Sequence, residues 1–289
     1  MISIIVPAHN EASVIARTLR AITEGADPCE LDVVVVCNGC SDETAGIARN
    51  FGPIVRVIET AVASKPHALN LGDHAAKHFP RIYADADVIL TVHTIRHLAR
   101  RLQSGEVLAV APVSQIDLTH CSWPVRAYYH IRSLLPSGRE GIGGSGVYAL
   151  SEAGRKRFRE FPEVTADDGY VRIQFKVEER ETLTSAASTV FAPRNLKSLI
   201  ITKTRSQYGS LELAKLFPQA WENKGESNNN LLARLFKHPY LWPKLLIYCL
   251  VTITAKSRAR NRMRGGTLTW QRDETSRRPD TTTAPVPHR

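Results

Sequence analysis

Apolar residues along this chain fall into two alternating periods from its first residue onward. Residues 2–6 form a short, mostly apolar run closed by Pro7, the pattern of a buried strand. Residues 11–23 then place Val14, Ile15, Leu19 and Ile22 at helical spacing. The exchange repeats, predicting strands at 31–37, 54–58, 81–84 and 107–113 and helices at 42–51, 65–78 and 92–102. Asn38-Gly39 ends the second strand, and Ser41 or Asp42 stands ready to cap the helix that follows. Strand and helix in this rhythm predict an α/β fold, a mostly parallel central sheet with flanking helices. Ligands of such sheets collect beyond the carboxyl ends of the strands. The polar residues at those ends are His9, Asn10, Glu11, Asn38, Asp85 and Asp87.

The pattern loosens after residue 113. A helix is expected at 123–135, a glycine-rich loop at 141–146 and a strand at 147–150, with a short helical stretch at 170–175 behind Asp167-Asp168-Gly169. Residues 222–230 lack periodicity and read as a polar linker. Residues 245–255 are apolar apart from Thr252 and Thr254, short of the roughly 20 residues a spanning helix needs. Tyr240, Trp242 and Tyr248, with the basic run 258–264 behind them, suit a helix lying in the headgroup plane. A C-terminal helix buried on the domain is the competing reading. The expected organisation is a catalytic domain over 1–220, a helical membrane-associating segment over 221–264 and a disordered basic tail over 265–289.

Charge changes this picture at one end only. Of a formal net charge of +10, residues 256–289 carry +6, from nine Lys and Arg against three acids. An anionic surface is the expected partner. Trp270 is the one aromatic there able to stack on a base, so acidic lipid is preferred and no specific nucleic acid is expected. The five cysteines are too few for a disulfide scaffold, and Cys37-x-x-Cys40 has no second pair at zinc spacing. No basic stretch precedes the apolar run 2–6, so the expected location is cytoplasmic, peripheral on the inner face of the cell membrane.

The candidate chemistry begins at Asp85 and Asp87, one residue apart just after the fourth strand. Carboxylates that close repel unless a positive group lies beside them. A hard divalent cation, Mg2+ or Mn2+, that keeps waters and shares phosphate oxygens with a substrate meets that need.

Several motifs in order sharpen the expectation. Ser3-Ile4-Ile5-Val6-Pro7-Ala8-His9-Asn10-Glu11-Ala12 resembles the opening strand of family 2 glycosyltransferases, inverting enzymes with the GT-A fold. Val36-Cys37-Asn38-Gly39-Cys40-Ser41-Asp42 resembles their second signature, with Asn38 and Cys40 in place of the usual Asp and Ser. Ser64-Lys65-Pro66-His67-Ala68-Leu69-Asn70 resembles the Gly-Lys-x-x-Ala-Leu-Asn segment, and Asp85-Ala86-Asp87 falls at the Asp-x-Asp. The resemblance implies a UDP-, GDP- or dTDP-sugar donor and a hydroxyl acceptor. It implies that Pro7, His9, Glu11 and Asn38 line the nucleoside pocket, that Lys65 reaches the diphosphate or base region, and that Asp85 contacts ribose or metal-bound water while Asp87 binds the cation. Asp168 then resembles the family's general base, with Asp167 as the alternative. The Gln-x-x-Arg-Trp of processive members is replaced by Thr204-Arg205-Ser206-Gln207-Tyr208. Arg205 still offers a fork for phosphate, and transfer of a single sugar is expected. Two other readings compete: a nucleotidyltransferase of similar fold, and a non-catalytic adaptor using the basic tail.

Overall fold

The computed structural model describes residues 1–136, 140–225, 229–265 and 274–277. Seven strands form one sheet in the order β3-β2-β1-β4-β6-β5-β7. Strand β1 (Ile2–Ala8) pairs in parallel with β2 (Leu31–Asn38) and β4 (Arg81–Ala84), and β2 with β3 (Val55–Thr60). Strand β6 (Val147–Leu150) runs antiparallel to both β4 and β5 (Ala109–Asp117), while β7 (Arg180–Phe191) lies parallel to β5. The sheet is therefore mixed, with β6 as the reversed strand. β1 and β2 are buried along their full length, which is why their sequences are nearly continuous Ile and Val rather than alternating.

Helices cover both faces. Helix α1 (Ile15–Thr23) buries Ile15, Leu19 and Ile22, the residues its periodicity had singled out. Helix α2 spans Thr44–Arg49, and Asp42 accepts from the Thr44 amide at 3.1 Å. Helix α3 (Lys65–Ala75) starts under a Ser64 cap, whose hydroxyl accepts from the His67 amide. Helices α4 (Val92–Gln103) and α5 (Trp123–Leu134) follow, then α6 (Glu152–Arg155) and α7 (Asp167–Ile173). Helix α8 (Leu196–Leu216) is the long central helix of the C-terminal half, followed by α9 (Asn229–Leu235) and α10 (Trp242–Gly265).

Residues 242–255 lie in α10, and the reading of a C-terminal helix packed on the domain holds for one of its faces. One face, with Leu245, Tyr248, Val251 and Ala255, is buried with residues of α5 and α8. Trp242, Leu246, Leu250 and Ile253 are exposed, as is Tyr240 just before the helix. Among the described residues no helix is long and apolar enough to cross a membrane. Of the terminal segment 265–289, only Gly265 and residues 274–277 are described. The expected disorder of the others lies outside the described residues.

Candidate active site

The loops leaving β1 and β2 are tied together before they reach the site. The His9 imidazole Nδ1 lies 2.5 Å from the Asn38 carbonyl oxygen, and the Glu11 amide donates to Thr44 Oγ1 at 2.8 Å. Asn10 takes a positive φ of 53° and accepts from the Ser41 amide at 2.7 Å. The turn after β4 is pinned from both sides. Asp85 N–H donates to the Gly146 carbonyl at 2.8 Å, Thr18 Oγ1 donates to the Ala86 carbonyl at 2.8 Å, and Arg17 Nη2 donates to the Asp87 carbonyl at 3.2 Å. Gly146 has φ 66°, and a Cβ there would stand 2.6 Å from Val88 Cγ1. Only glycine combines that backbone with that approach.

Lys65, the first residue of α3, sits at the centre. Its Nζ lies 2.7 Å from Asp85 Oδ1 and 2.9 Å from Asp167 Oδ1. One ammonium thus joins the turn after β4 to the start of α7. Burial alone would lower the Lys65 ammonium, but Asp167, Asp85 and Asp168 outweigh it and hold the group well above the usual lysine range. Burial raises the Asp167 carboxyl; Lys65 opposes that shift, while Asp168 and Asp85 add to it. Asp168 stands differently. It is half-buried and accepts from the Gly169 amide at 2.7 Å. Helix α7 is set close to α8, because a Cβ on Gly209 would come within 2.6 Å of Ala166 Cβ.

A cavity of about 460 Å³ opens over these groups. It is lined by Lys65, Asp85, Asp87, Asp167, Asp168 and Arg205 among others. Pro7 borders an adjoining cleft that shares Lys65, Asp85, Asp167 and Asp168. His9 and Asn38 lie bonded to each other at the same sheet edge, outside the lining of that cavity. Glu11 is linked to it through Arg277. The Arg277 Nε and Nη2 reach Glu11 Oε2 and Oε1 at 2.7 and 2.8 Å, and Nη2 also lies 2.8 Å from Asp87 Oδ2.

Sequence reasoning missed Arg277, Tyr148 and Lys203. Tyr148 lies in the predicted strand 147–150; its buried hydroxyl has no hydrogen-bond partner among the described residues and shares the adjoining cleft with the site carboxylates. Lys203 lies 5.3 and 5.6 Å from the ring centres of Tyr129 and Tyr128. Burial, then the neighbouring Arg132 and Arg205, lower its ammonium well below the usual range. Two residues apart on one helix, Lys203 and Arg205 do not share a face by spacing, so nothing in the sequence signalled that both line one cavity.

The residues present fit a hard divalent cation. Among the described residues no cluster of three or more His, Cys, Asp or Glu could enclose a metal. Asp85 and Asp87 instead offer a two-carboxylate oxygen set at an open cavity, the arrangement in which phosphates and water complete the shell. In this structure Asp87 Oδ2 is paired with the Arg277 guanidinium.

A single mixed, mostly parallel sheet flanked by helices is the architecture of a GT-A-like fold. The sequence profile of "Glycosyl transferase family 2" matches residues 3–153, and the chain belongs to that family. It is 39% identical over 180 residues to 4,4'-diaponeurosporenoate glycosyltransferase of Staphylococcus aureus, covering 57% of this chain and 43% of that protein. It is 29% identical over 113 residues to glycosyltransferase AglD of Haloferax volcanii, covering 36% and 18%. The chain spans less than half the length of these curated relatives. Among solved structures, the mannosyltransferase PcManGT of Pyrobaculum calidifontis, in complex with GDP-Man and Mn2+, superposes with TM-score 0.61 at 21% identity, over 92% of this chain and 76% of its own. Glucosyl-3-phosphoglycerate synthase of Mycobacterium tuberculosis, with Mn2+, UDP and glucosyl-3-phosphoglycerate, gives TM-score 0.55 at 18% identity, over 74% and 79%. At such identities these two likenesses speak for the fold.

Proposed function

We propose that the protein is a metal-dependent, inverting glycosyltransferase that moves a single sugar from a nucleoside-diphosphate donor to a hydroxyl acceptor. The observation that carries this reading is Lys65, which holds the Asp85–Asp87 turn and the Asp167–Asp168 pair at one cavity. Asp87, with Asp85 beside it, holds Mg2+ or Mn2+, which when bound offsets charge on the leaving diphosphate. Pro7, His9, Glu11 and Asn38 form the nucleoside end, where Asn38 brings an amide able to donate and accept. Lys65 and Arg205 supply cationic donors towards phosphate oxygens. Asp168 accepts the acceptor's hydroxyl proton as that oxygen bonds to the anomeric carbon and the bond to the diphosphate oxygen breaks. Asp168 fits this role better than Asp167, whose carboxylate is buried against Lys65.

The exposed apolar side of α10, followed by the basic run 258–264, supports work against an anionic membrane surface from its cytoplasmic face. A second cavity of about 510 Å³ lies beside exposed Trp123, is lined by Arg126 and Lys244, and shares Ile116, Tyr129 and Arg132 with the central one. It offers an entry for an acceptor presented at that surface. Calorimetric titration with UDP-, GDP- and dTDP-sugars, with and without Mn2+, tests the assignment. Metal-dependent binding of one donor is expected; absence of heat with all three sinks it.

A further inference from the structure

The charged groups of the central cavity do not all come from the α/β body. Arg277 reaches it from the far end of the chain, 266 positions away from its partner Glu11. Its side chain is 13% exposed, and Ser276 and Arg277 both line the cavity. The segment has a second attachment, since the Arg194 amide just after β7 donates to Thr275 Oγ1 at 2.9 Å. We propose that Arg277 is a donor-binding residue: the stretch 274–277 forms a wall of the donor site, fixes Glu11 and presents a guanidinium to the donor's diphosphate.

An arginine set on a carboxylate at a cation site can act as a wall or as a plug that must leave. Electrostatics favours the wall. The diphosphate and a divalent cation arrive together and nearly cancel each other's charge, so the field that attracts the guanidinium to Glu11 and Asp87 survives their entry. The bidentate contact with Glu11 fixes the plane of the fork independently of Asp87. When a cation takes Asp87, the Nη2 side is released from that carboxylate while still anchored by Glu11, next to the phosphates the cation brings. A planar, permanently charged fork suits two phosphate oxygens better than a lysine point charge.

This inference rests on the glycosyltransferase reading, and the test separates the two. Mn2+ with UDP, GDP or dTDP is titrated into full-length wild type, Arg277→Ala, Arg277→Lys and Arg20→Ala, the last removing an exposed charge on α1. For the nucleotide that wild type binds, Arg277→Ala is expected to raise Kd at least tenfold, about 1.4 kcal/mol. Arg277→Lys should recover part of that loss, and Arg20→Ala should match wild type. Hydrogen exchange at residues 274–277 should slow further when Mn2+ and nucleotide are added. Equal or tighter binding by Arg277→Ala, or faster exchange on nucleotide addition, overturns the proposal and marks the segment as a plug. A wild type that binds none of the three nucleotides fails the broader reading instead.

Discussion

Asp167 and Asp168 are neighbours in the chain that meet different surroundings. The first is buried against Lys65; the second accepts from the Gly169 amide in the first turn of its own helix and lines the cavity. Asp168→Asn is therefore expected to leave donor binding within about twofold while transfer falls by roughly 10²–10⁴-fold, the usual worth of a general base. Asp87→Ala should do the reverse at the binding step and abolish the Mn2+-dependent part of the calorimetric signal. A transfer assay run beside the titration distinguishes them. A pair of variants that fail in the same step would remove the division of labour. The placement of His9, Asn38, Asp85 and Asp87 at one sheet edge was legible at this scale, because each stands at or just behind the end of a strand that the apolar pattern revealed. Arg277 was not, since nothing local relates a residue in a basic, Thr- and Pro-rich tail to a carboxylate at the first strand.

Among the elements, β4 matters more than its four residues suggest. Tyr83 on it stacks on Tyr148 of β6 at 4.9 Å and donates to Asp73 Oδ1 of α3 at 2.5 Å. Asp73 also pairs with Arg81 and Arg155 at 2.7 and 2.8 Å. Burial works to raise the Asp73 carboxyl, but the hydrogen bonds from Tyr83, Arg155 and Arg81 outweigh it and hold it below its ordinary 3.8. Removing the charge leaves two buried guanidiniums short of a partner, so Asp73→Asn should cost about 3–5 kcal/mol in urea unfolding at pH 7. A depressed carboxyl stabilises the fold above its unfolded value and loses that contribution as pH falls through the folded value. The gap between wild type and Asp73→Asn should then hold down to about pH 4 and close below it. A gap unchanged at pH 3 would deny Asp73 this part.

Two of the longer elements escaped the sequence pattern for physical reasons. Strand β7 is built largely of Thr, Ser and Ala between its ends and is paired to β5 through a register shift at Pro112/Val113, so neither alternation nor an apolar run marks it. Helix α8 turns Lys203, Arg205, Gln207 and Ser210 to the cavity, which interrupts the apolar stripe a surface helix would show. Its start was nonetheless announced, since Asn195 accepts from the Ser198 amide at 2.9 Å.

At the scale of the whole molecule, α10 combines exposed apolar side chains with a basic end. Helix α10 packs one face against α5 and α8 and leaves Trp242, Leu246, Leu250 and Ile253 outward, ahead of its Arg-rich last turns. The triple change Leu246→Glu, Leu250→Glu, Ile253→Glu should reduce cosedimentation with vesicles containing anionic lipid by tenfold or more. Nucleotide binding should be unaffected, because these side chains point away from the cavity. Wild-type cosedimentation should weaken as salt rises. Binding to vesicles that is indifferent to both changes would separate α10 from the membrane.

The hydrogen bond from the Asp85 amide to the Gly146 carbonyl joins two stretches far apart in the chain. It exists because β6 runs backwards and delivers the loop before it, rather than the loop after it, to the edge where the parallel strands end. The cation turn and the glycine loop therefore share one fate under substitution. A change at Val88 that fills the space beside Gly146, or any side chain at Gly146, alters both at once, and their effects in a double-mutant cycle should not add.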